Sequence, residues 1–285
     1  MKPASGLLKE LAAPIRRRIA GEVVAVFNDA GCGDRPVRRS PDALFAPTSE
    51  IWKVHGDVGS MMIGGVSGLL LQMLHPAVLA GVWDHSNFRS DMHGRLRRTA
   101  RFIALTTYGA LSEAEAAIER VRAIHSNVSG LLPDGRPYVA SDPALLAWVH
   151  VTEAVSFLSA WIRYCEPSMP LSRQDRYFEE FAQIARYLGA DPVPTSRSQA
   201  DMLLREMRDQ LEVDVRTKEV ASLVLSRSAV HGIAAPIYDV IMRAGVDLLP
   251  EWARRMHGLS IGPGKLAVRA GAFGLAQTVR WAFRA

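Results

Sequence analysis

Four arginines and a threonine lie close together at residues 90–109, in the stretch SDMHGRLRRTARFIALTTYG. Arg95 and Thr99 are one helical turn apart, so we expect both side chains on one inward face of a helix. Arg97 and Arg101 are one turn apart on another side of that helix and are expected to face solvent. A buried guanidinium group without a counter-charge costs on the order of several kcal/mol. The stretch therefore predicts an anionic group beside Arg95.

Two histidines fall on apolar helix faces. His125 continues the apolar stripe of Ile118 and Val121, and His150 lies within the apolar face of the helix that follows. A buried imidazole most often just satisfies its hydrogen bonds, but it is also a common ligand of metals and of haem iron. Both interpretations stay open for His125 from its position alone.

Three kinds of group could supply the negative charge. Carboxylates are available from Asp84, Asp91 and Asp142. A bound phosphate usually comes with a glycine-rich turn that opens a helix, and the sequence contains no such turn. Haem propionates pair with arginine, while haem iron takes an axial histidine. A di-iron site would need paired Glu-x-x-His motifs, which the sequence lacks. Carboxylates and haem therefore remain as candidates.

The elements that position these residues are predicted to be helices. Apolar residues recur at spacings of three and four along almost the whole chain, and alternating strand-like segments are scarce. Ser112 and Glu115 form a capping-box pattern and Gly130 suits a left-handed C-cap. These signals predict a helix over residues 113–128.

Stop signals divide the rest of the chain. Residues 58–83 are predicted to form a buried helix broken at Pro76, with membrane insertion as a minor alternative. Residues 133–138 are predicted to form a turn, and Asp142 is predicted to cap the next helix. Because the connecting segments are short, we predict an all-α fold with a single compact helical domain over residues 1–285.

Composition and charge narrow the classes of function. The chain has 285 residues, of which 48% are hydrophobic and 22% charged, with a net charge of +5. Acidic residues are spread among the basic ones and only 7% of residues are aromatic, so we expect no nucleic-acid partner. Cys32 and Cys165 are too isolated for a disulfide framework, and the N-terminal segment lacks the apolar region of a signal peptide. These features predict a cytoplasmic protein.

Four spaced blocks of the sequence resemble a known family. They read LLLQMLHPAVLAGVWDHS at 69–86, RLRRTARFIALTTYG at 95–109, AIHSNVSG at 123–130 and DGRPYVASDPALLAWVH at 134–150. Their order and spacing are similar to those of the MpaB-type oxygenases, which are related to the haem-containing rubber oxygenases called latex-clearing proteins. The resemblance is best over residues 51–164.

The resemblance implies a helical protein with a globin-like core that binds haem b between helices. The family's axial histidine belongs to an H-x-x-V-x-G block, which corresponds to His125 here. Its R-x-x-x-T block places Arg95 and Thr99 in the haem pocket. Its Asp-Pro and Trp-Val-His block matches this chain as well, with Asp142 as a helix cap and His150 as a supporting residue or part of the pocket wall.

Three features depart from the latex-clearing proteins. Those proteins carry a lysine just before the threonine, able to reach the iron, where this chain has Arg98. A guanidinium group stays protonated and is a poor ligand. They also place a carboxylate in the distal pocket, and the HPAVLAGVW segment offers no matching acid; they are secreted, whereas this chain shows no export signal. We therefore expect a smaller or differently shaped substrate rather than polyisoprene.

The sequence thus predicts a haem-dependent oxidoreductase, either an oxygenase or a peroxidase-like enzyme. It would act on a small or apolar organic substrate with dioxygen or peroxide. His125 is the expected proximal iron ligand, and Arg95 and Arg98 are expected to hold propionates or stabilise developing negative charge. Thr99 would offer a hydroxyl for hydrogen bonding or for relay through water.

Two alternatives come from other classes of protein. A haem-binding or haem-sensing protein without turnover would add a second protein ligand, for which His75 and His85 are the candidates. A lipid- or membrane-associated helical protein is the other alternative, because the segment from Arg243 onward is basic and ends in RWAFRA. Peripheral membrane contact through this segment and assembly into an oligomer both fit the sequence.

Overall fold

The computed structural model describes residues 13–21, 35–226 and 234–283. Helix α1 covers residues 13–21. The helices that follow are α2 (Glu50–His55), α3 (Val58–Gln72), α4 (Pro76–His85), α5 (Met92–Tyr108), α6 (Leu111–His125), α7 (Pro143–Tyr164), α8 (Leu171–Leu188), α9 (Arg197–Glu206), α10 (Val215–Leu225), α11 (Ala234–Leu248), α12 (Glu251–Met256) and α13 (Lys265–Phe283). Strands β1 (Ser129–Leu131) and β2 (Pro137–Val139) pair as one antiparallel hairpin. The prediction of a mostly helical chain is confirmed.

Helices α3 and α7 form the centre of the core. Helix α3 is buried on nearly all sides, as expected for a helix whose residues are apolar or small around its whole circumference. The two helices approach closely at Gly64, where an added Cβ would lie 3.0 Å from the Cα of Phe157. Trp148 of α7 is fully buried, and its Nε1 donates a hydrogen bond to the carbonyl oxygen of Gln72 at 3.3 Å. At position 64, only glycine allows α3 and α7 to approach this closely.

The predicted break at Pro76 is confirmed. Helix α3 ends at Gln72, and α4 begins at Pro76 with His75 as its N-cap. Proline fits the first turn of a helix because its missing N–H would have no partner there. The two helix axes are bent by 104° relative to each other.

Two parts of the described chain pass a length and composition test for a membrane span. They are α7 alone and the bent pair of α3 and α4 taken together. The apolar window of α7 is 67% buried inside the protein, which is the pattern of a core helix.

The predicted boundaries of α6 are wrong at both ends. The helix begins at Leu111, and the backbone N–H of Ala110 is capped by Glu113 at 3.0 Å, so Ser112 lies inside the first turn. The helix ends at His125, and Gly130 lies in β1. The chain leaves the helix early because residues 128–131 pair with the second strand of the hairpin instead. The turn within 133–138 is confirmed, since Gly135 adopts a positive φ of 86° between the strands.

Ion pairs attach the C-terminal helices to the core. The Asp247 carboxylate of α11 is fully buried and accepts hydrogen bonds from Arg163 at 3.0 Å and from Arg269 at 2.6 Å. Arg280 of α13 pairs with Asp57, the N-cap of α3. These contacts connect α11 and α13 to both central helices.

Candidate functional site

Arg95 lies in the first turn of α5 and is half-buried. Burial and the neighbouring Arg98 both lower the pKa of its guanidinium group. Within the described part of the chain, its side chain forms no hydrogen bond or ion pair with a carboxylate. Among the described residues, no counter-charge therefore balances the partial burial of Arg95.

The neighbours of Arg95 are differently placed. Arg98 is exposed and pairs with Asp91, the N-cap of α5, at 3.2 Å. Thr99 is also exposed, and its hydroxyl donates to the backbone carbonyl of Arg95 at 3.3 Å. We expected Thr99 on the inward face. It is in line with Ile103 and Thr107, which are buried one and two turns further along α5, but at its own turn the side chain is exposed.

The two arginines expected in solvent are partly covered instead. Arg97 and Arg101 are both half-buried. Arg101 donates a hydrogen bond to the carbonyl oxygen of Arg35 at 2.8 Å. The segment that precedes α2 therefore covers this side of α5. The spacing of apolar residues within α5 could not predict this contact.

His125 is the last residue of α6 and is half-buried. Burial lowers the pKa of its imidazole, so the ring is neutral at neutral pH. Neither ring nitrogen forms a hydrogen bond with another residue that the structure describes. A neutral, unengaged imidazole is the form that binds a metal ion.

Arg95 and His125 occupy corresponding ends of two consecutive helices. Helices α5 and α6 pack against each other and are joined through Gly109 and Ala110. Arg95 is near the start of α5 and His125 at the end of α6, so both lie at the end of the pair away from this connection. The end of α4 belongs to the same region, because His85 Nε2 lies 3.1 Å from the carbonyl oxygen of Ser129, just beyond α6.

His150 belongs to a different part of the core. Its ring is buried on α7 and meets the ring of Phe181 edge-on, with the centroids 4.7 Å apart. Its Nε2 is buried without a hydrogen-bond partner among the described residues. Burial lowers the pKa of this imidazole to about 3, so it stays neutral. No described contact joins His150 to Arg95 or Thr99.

A buried polar cluster surrounds the same phenylalanine. His55 has Nδ1 2.9 Å from Thr107 Oγ1 and Nε2 3.1 Å from the Tyr177 hydroxyl, and its ring centroid is 5.0 Å from that of Phe181. Burial lowers the pKa of His55 to about 3. The sequence analysis did not identify this cluster, because its members come from α2, α5 and α8, and no motif links them.

Glu153 of α7 is a second group that the sequence analysis did not identify. Burial raises the pKa of its carboxyl to about 7, and Gln72 Nε2 donates to it at 3.3 Å. Its position one turn after His150 on the wide apolar face of α7 is the one signal that the sequence offered.

The two histidines considered as second iron ligands are engaged in other contacts. His75 accepts from the backbone N–H of Ala77 at 3.3 Å, and its Nε2 lies 3.4 Å from Gln210 Oε1. His85 bonds the Ser129 carbonyl. These contacts give both rings structural roles at the ends of α4.

Direct metal ligation by several side chains has no support in the described residues. Among them, no group of three or more His, Cys, Asp or Glu side chains is arranged to hold a metal ion. Haem is a different case, because the porphyrin supplies four ligands and the protein needs to supply only one. The imidazole of His125 and the guanidinium of Arg95, which has no carboxylate partner in the described part of the chain, match that smaller donor set.

The comparison with known protein families identifies the class of this helical protein. The family model described as "ER-bound oxygenase mpaB/B'/Rubber oxygenase, catalytic domain" matches residues 52–281. The chain therefore belongs to this family of oxygenase domains, and the resemblance noted in the sequence is confirmed. The comparisons with curated proteins and with solved structures found no significant match.

Proposed function

We propose that this protein is a haem b-dependent oxygenase with His125 as the proximal iron ligand. One observation carries the proposal: a half-buried neutral imidazole and a half-buried guanidinium, both without a partner among the described residues, lie at corresponding ends of α6 and α5. Membership of an oxygenase family supports the activity. The helices around this region would form the globin-like haem-binding core.

His125 would act through its neutral ring nitrogen. Because burial lowers its pKa, the lone pair that binds iron is available at neutral pH without the loss of a proton. A haem bound at this imidazole would supply the redox-active iron at which dioxygen or peroxide reacts with the substrate.

Arg95 would hold a propionate. A carboxylate beside this guanidinium would replace the water that it loses on burial and would form charge-assisted hydrogen bonds. Arg98 is already paired with Asp91, so its contribution would be a positive field at the edge of the site. Thr99 would orient a water or a polar group of the substrate with its exposed hydroxyl.

His150 and Asp142 would support the site through the helix that carries them. Asp142 accepts from the backbone N–H of Ala144 at 2.8 Å and so sets where α7 begins. His150 lies two turns further along, packed on Phe181. In this proposal a small or apolar organic molecule is the substrate, and the cytoplasm is the compartment.

An absorption spectrum tests the proposal. The protein expressed with ample haem should show a strong Soret band and about one iron per chain, and His125→Ala should lose both. His85→Ala is the matched control, because it removes an exposed histidine that already bonds a backbone carbonyl. A folded wild-type protein without haem, or an unchanged spectrum in His125→Ala, would refute the proposal.

A second variant separates the two pocket residues. Arg95→Leu should weaken haem retention while leaving the position of the Soret band nearly unchanged, because it removes a propionate contact and keeps the iron ligand. Oxygen uptake by the loaded protein with a reductant and candidate substrates distinguishes an oxygenase from a haem-binding protein without turnover.

A further inference from the structure

The outward face of α13 is apolar and uncharged. Leu266, Phe273 and Trp281 are exposed by 79%, 48% and 40%, and their spacings of seven and eight residues place them on one stripe of the helix. Ala270 and Gln277 lie between them on the same stripe and are also exposed. We call this stripe the α13 face. Large apolar side chains aligned in this way mark an interaction surface more often than isolated ones do.

The charged residues of α13 flank this face and are held in ion pairs. Lys265 and Arg269 pair with Asp247, and Arg280 pairs with Asp57. These ion pairs attach α13 to the core. The side chains on the opposite side of the helix are buried, among them Val268, Ala272, Ala276 and Val279.

Both ends of the α13 face are basic. At the C-terminal end, the guanidinium of Arg16 lies 5.8 Å from the centre of the Trp281 ring, and Arg17 and Arg18 are exposed on the same short helix. At the N-terminal end, a surface depression of about 320 Å³ is lined by three basic residues, Arg254, Arg255 and Lys265, and one acidic residue, Glu251, which pairs with Arg255, so this end is basic on balance.

We propose that the α13 face lies on the surface of a membrane that contains anionic lipids. The apolar side chains would enter the boundary between headgroups and acyl chains, and the tryptophan suits that boundary because its ring is apolar and its N–H is polar. The basic residues at the two ends would contact lipid phosphates and carboxylates. This surface goes beyond the proposed function, since a haem oxygenase does not need a membrane in order to act.

Charge favours lipid over a second copy of the chain as the occupant. If two copies paired through their α13 faces about a two-fold axis, each end would meet an end of the same positive sign. Neither Arg17 at one end nor Arg254 at the other would find an acidic residue on the partner's α13 face, since that face carries no charge. An anionic membrane surface instead offers negative charge to both ends at once.

Sedimentation with lipid vesicles tests the proposal. The haem-loaded protein would be mixed with phosphatidylcholine vesicles made with and without phosphatidylserine. The wild type should bind the anionic vesicles, and the double variant Phe273→Glu/Trp281→Glu should bind them at least about tenfold more weakly. Val215→Glu/Leu171→Glu is the matched control, because those side chains are also exposed, by 79% and 69%, but lie on α10 and α8; its binding should equal that of the wild type.

A charge variant tests the basic ends. Arg17→Glu/Arg18→Glu should lower the affinity for the anionic vesicles by roughly fivefold or more for each side chain, because a basic residue near an anionic surface contributes about that factor. Circular dichroism and the Soret band would show that each variant is folded and loaded. Equal vesicle binding by the wild type and the α13 double variant, or no binding by the wild type, overturns the proposal. A wild-type dimer that the α13 double variant dissociates, without vesicle binding, overturns it in favour of a second copy.

Discussion

Replacement of His150 by leucine should weaken the dependence of stability on pH. His150 is 6% exposed, its Nε2 has no partner among the described residues, and burial lowers its pKa from 6.5 to about 3. As the pH falls below 6.5, the unfolded chain takes up a proton at this histidine while the folded chain does not. The contribution of neutral His150 to the free energy of unfolding is therefore fully present above pH 6.5 and is lost progressively as the pH falls toward 3.

The size of the effect follows from the two pKa values. In this range each pH unit lowers the free energy of unfolding by about 1.4 kcal/mol for one such histidine. Between pH 7 and pH 4.5, His150 should account for a loss of about 2.5 kcal/mol, which is large against a total stability of roughly 5–15 kcal/mol. The His150→Leu variant should lack this share of the loss. At neutral pH it should lose little stability, because the Nε2 that it removes has no partner among the described residues.

Urea unfolding at several pH values between 4.5 and 7 measures this slope. Phe157→Leu is the matched control: it alters the same group of rings without removing a titratable group. It should lower the free energy of unfolding by a similar amount at every pH and leave the slope unchanged. If His150→Leu had the slope of the wild type, the reasoning that burial keeps this histidine neutral would be refuted.

Three further predictions concern the core. Glu153→Gln should raise the free energy of unfolding by up to about 3 kcal/mol at pH 8 and by almost nothing at pH 4.5. Burial raises the pKa of the carboxyl from 4.5 to about 7, so this group lowers the stability of the wild type as the pH rises between these values. Urea unfolding at both pH values measures the difference. Gly64→Ala should destabilise the protein by about 1–3 kcal/mol, since the added methyl would lie 3.0 Å from the backbone of α7, whereas Gly65→Ala, whose methyl would have only a 3.9 Å contact, should be neutral or stabilising in thermal unfolding. Asp247→Asn should lower the free energy of unfolding by about 3–5 kcal/mol, because it leaves two arginines without their buried partner. The control Glu119→Gln removes an exposed ion pair and should lower it by less than about 1 kcal/mol. Urea unfolding measures both.

Helices were predictable wherever the local signal was strong. Pro76 marks a break that any helical arrangement must accept, because proline lacks the N–H that the preceding turn requires. Asp142 caps α7 as predicted, since the cap needs only a carboxylate and the two N–H groups that follow it. The ends of α6 were not predictable in the same way. Ser112 and Gly130 carry capping signals, but the β-hairpin and the turn before α6 decided where the helix starts and stops.

The candidate site shows the same division between local and long-range information. Arg95 and His125 could be selected from residue spacing and from the family blocks, because both kinds of information are contained in one or two neighbouring helices. Whether a carboxylate neutralises Arg95 depends on how both nearby and distant acids are placed, and only the packed structure shows that Asp91 pairs with Arg98 and that no described acid pairs with Arg95. The exposure of Thr99 likewise depends on which helices pack against α5.

By itself, the sequence determined the helical class, the break before α4, the cap of α7, the family and the residues worth testing. The tertiary structure alone decided that His150 faces Phe181 rather than Arg95, that Glu153 is half-buried with a raised pKa, and that no other described part of the chain covers the α13 face. Periodicity reports which side of a helix is apolar. It does not report which other helix meets that side, and burial, pKa and exposure all depend on that partner.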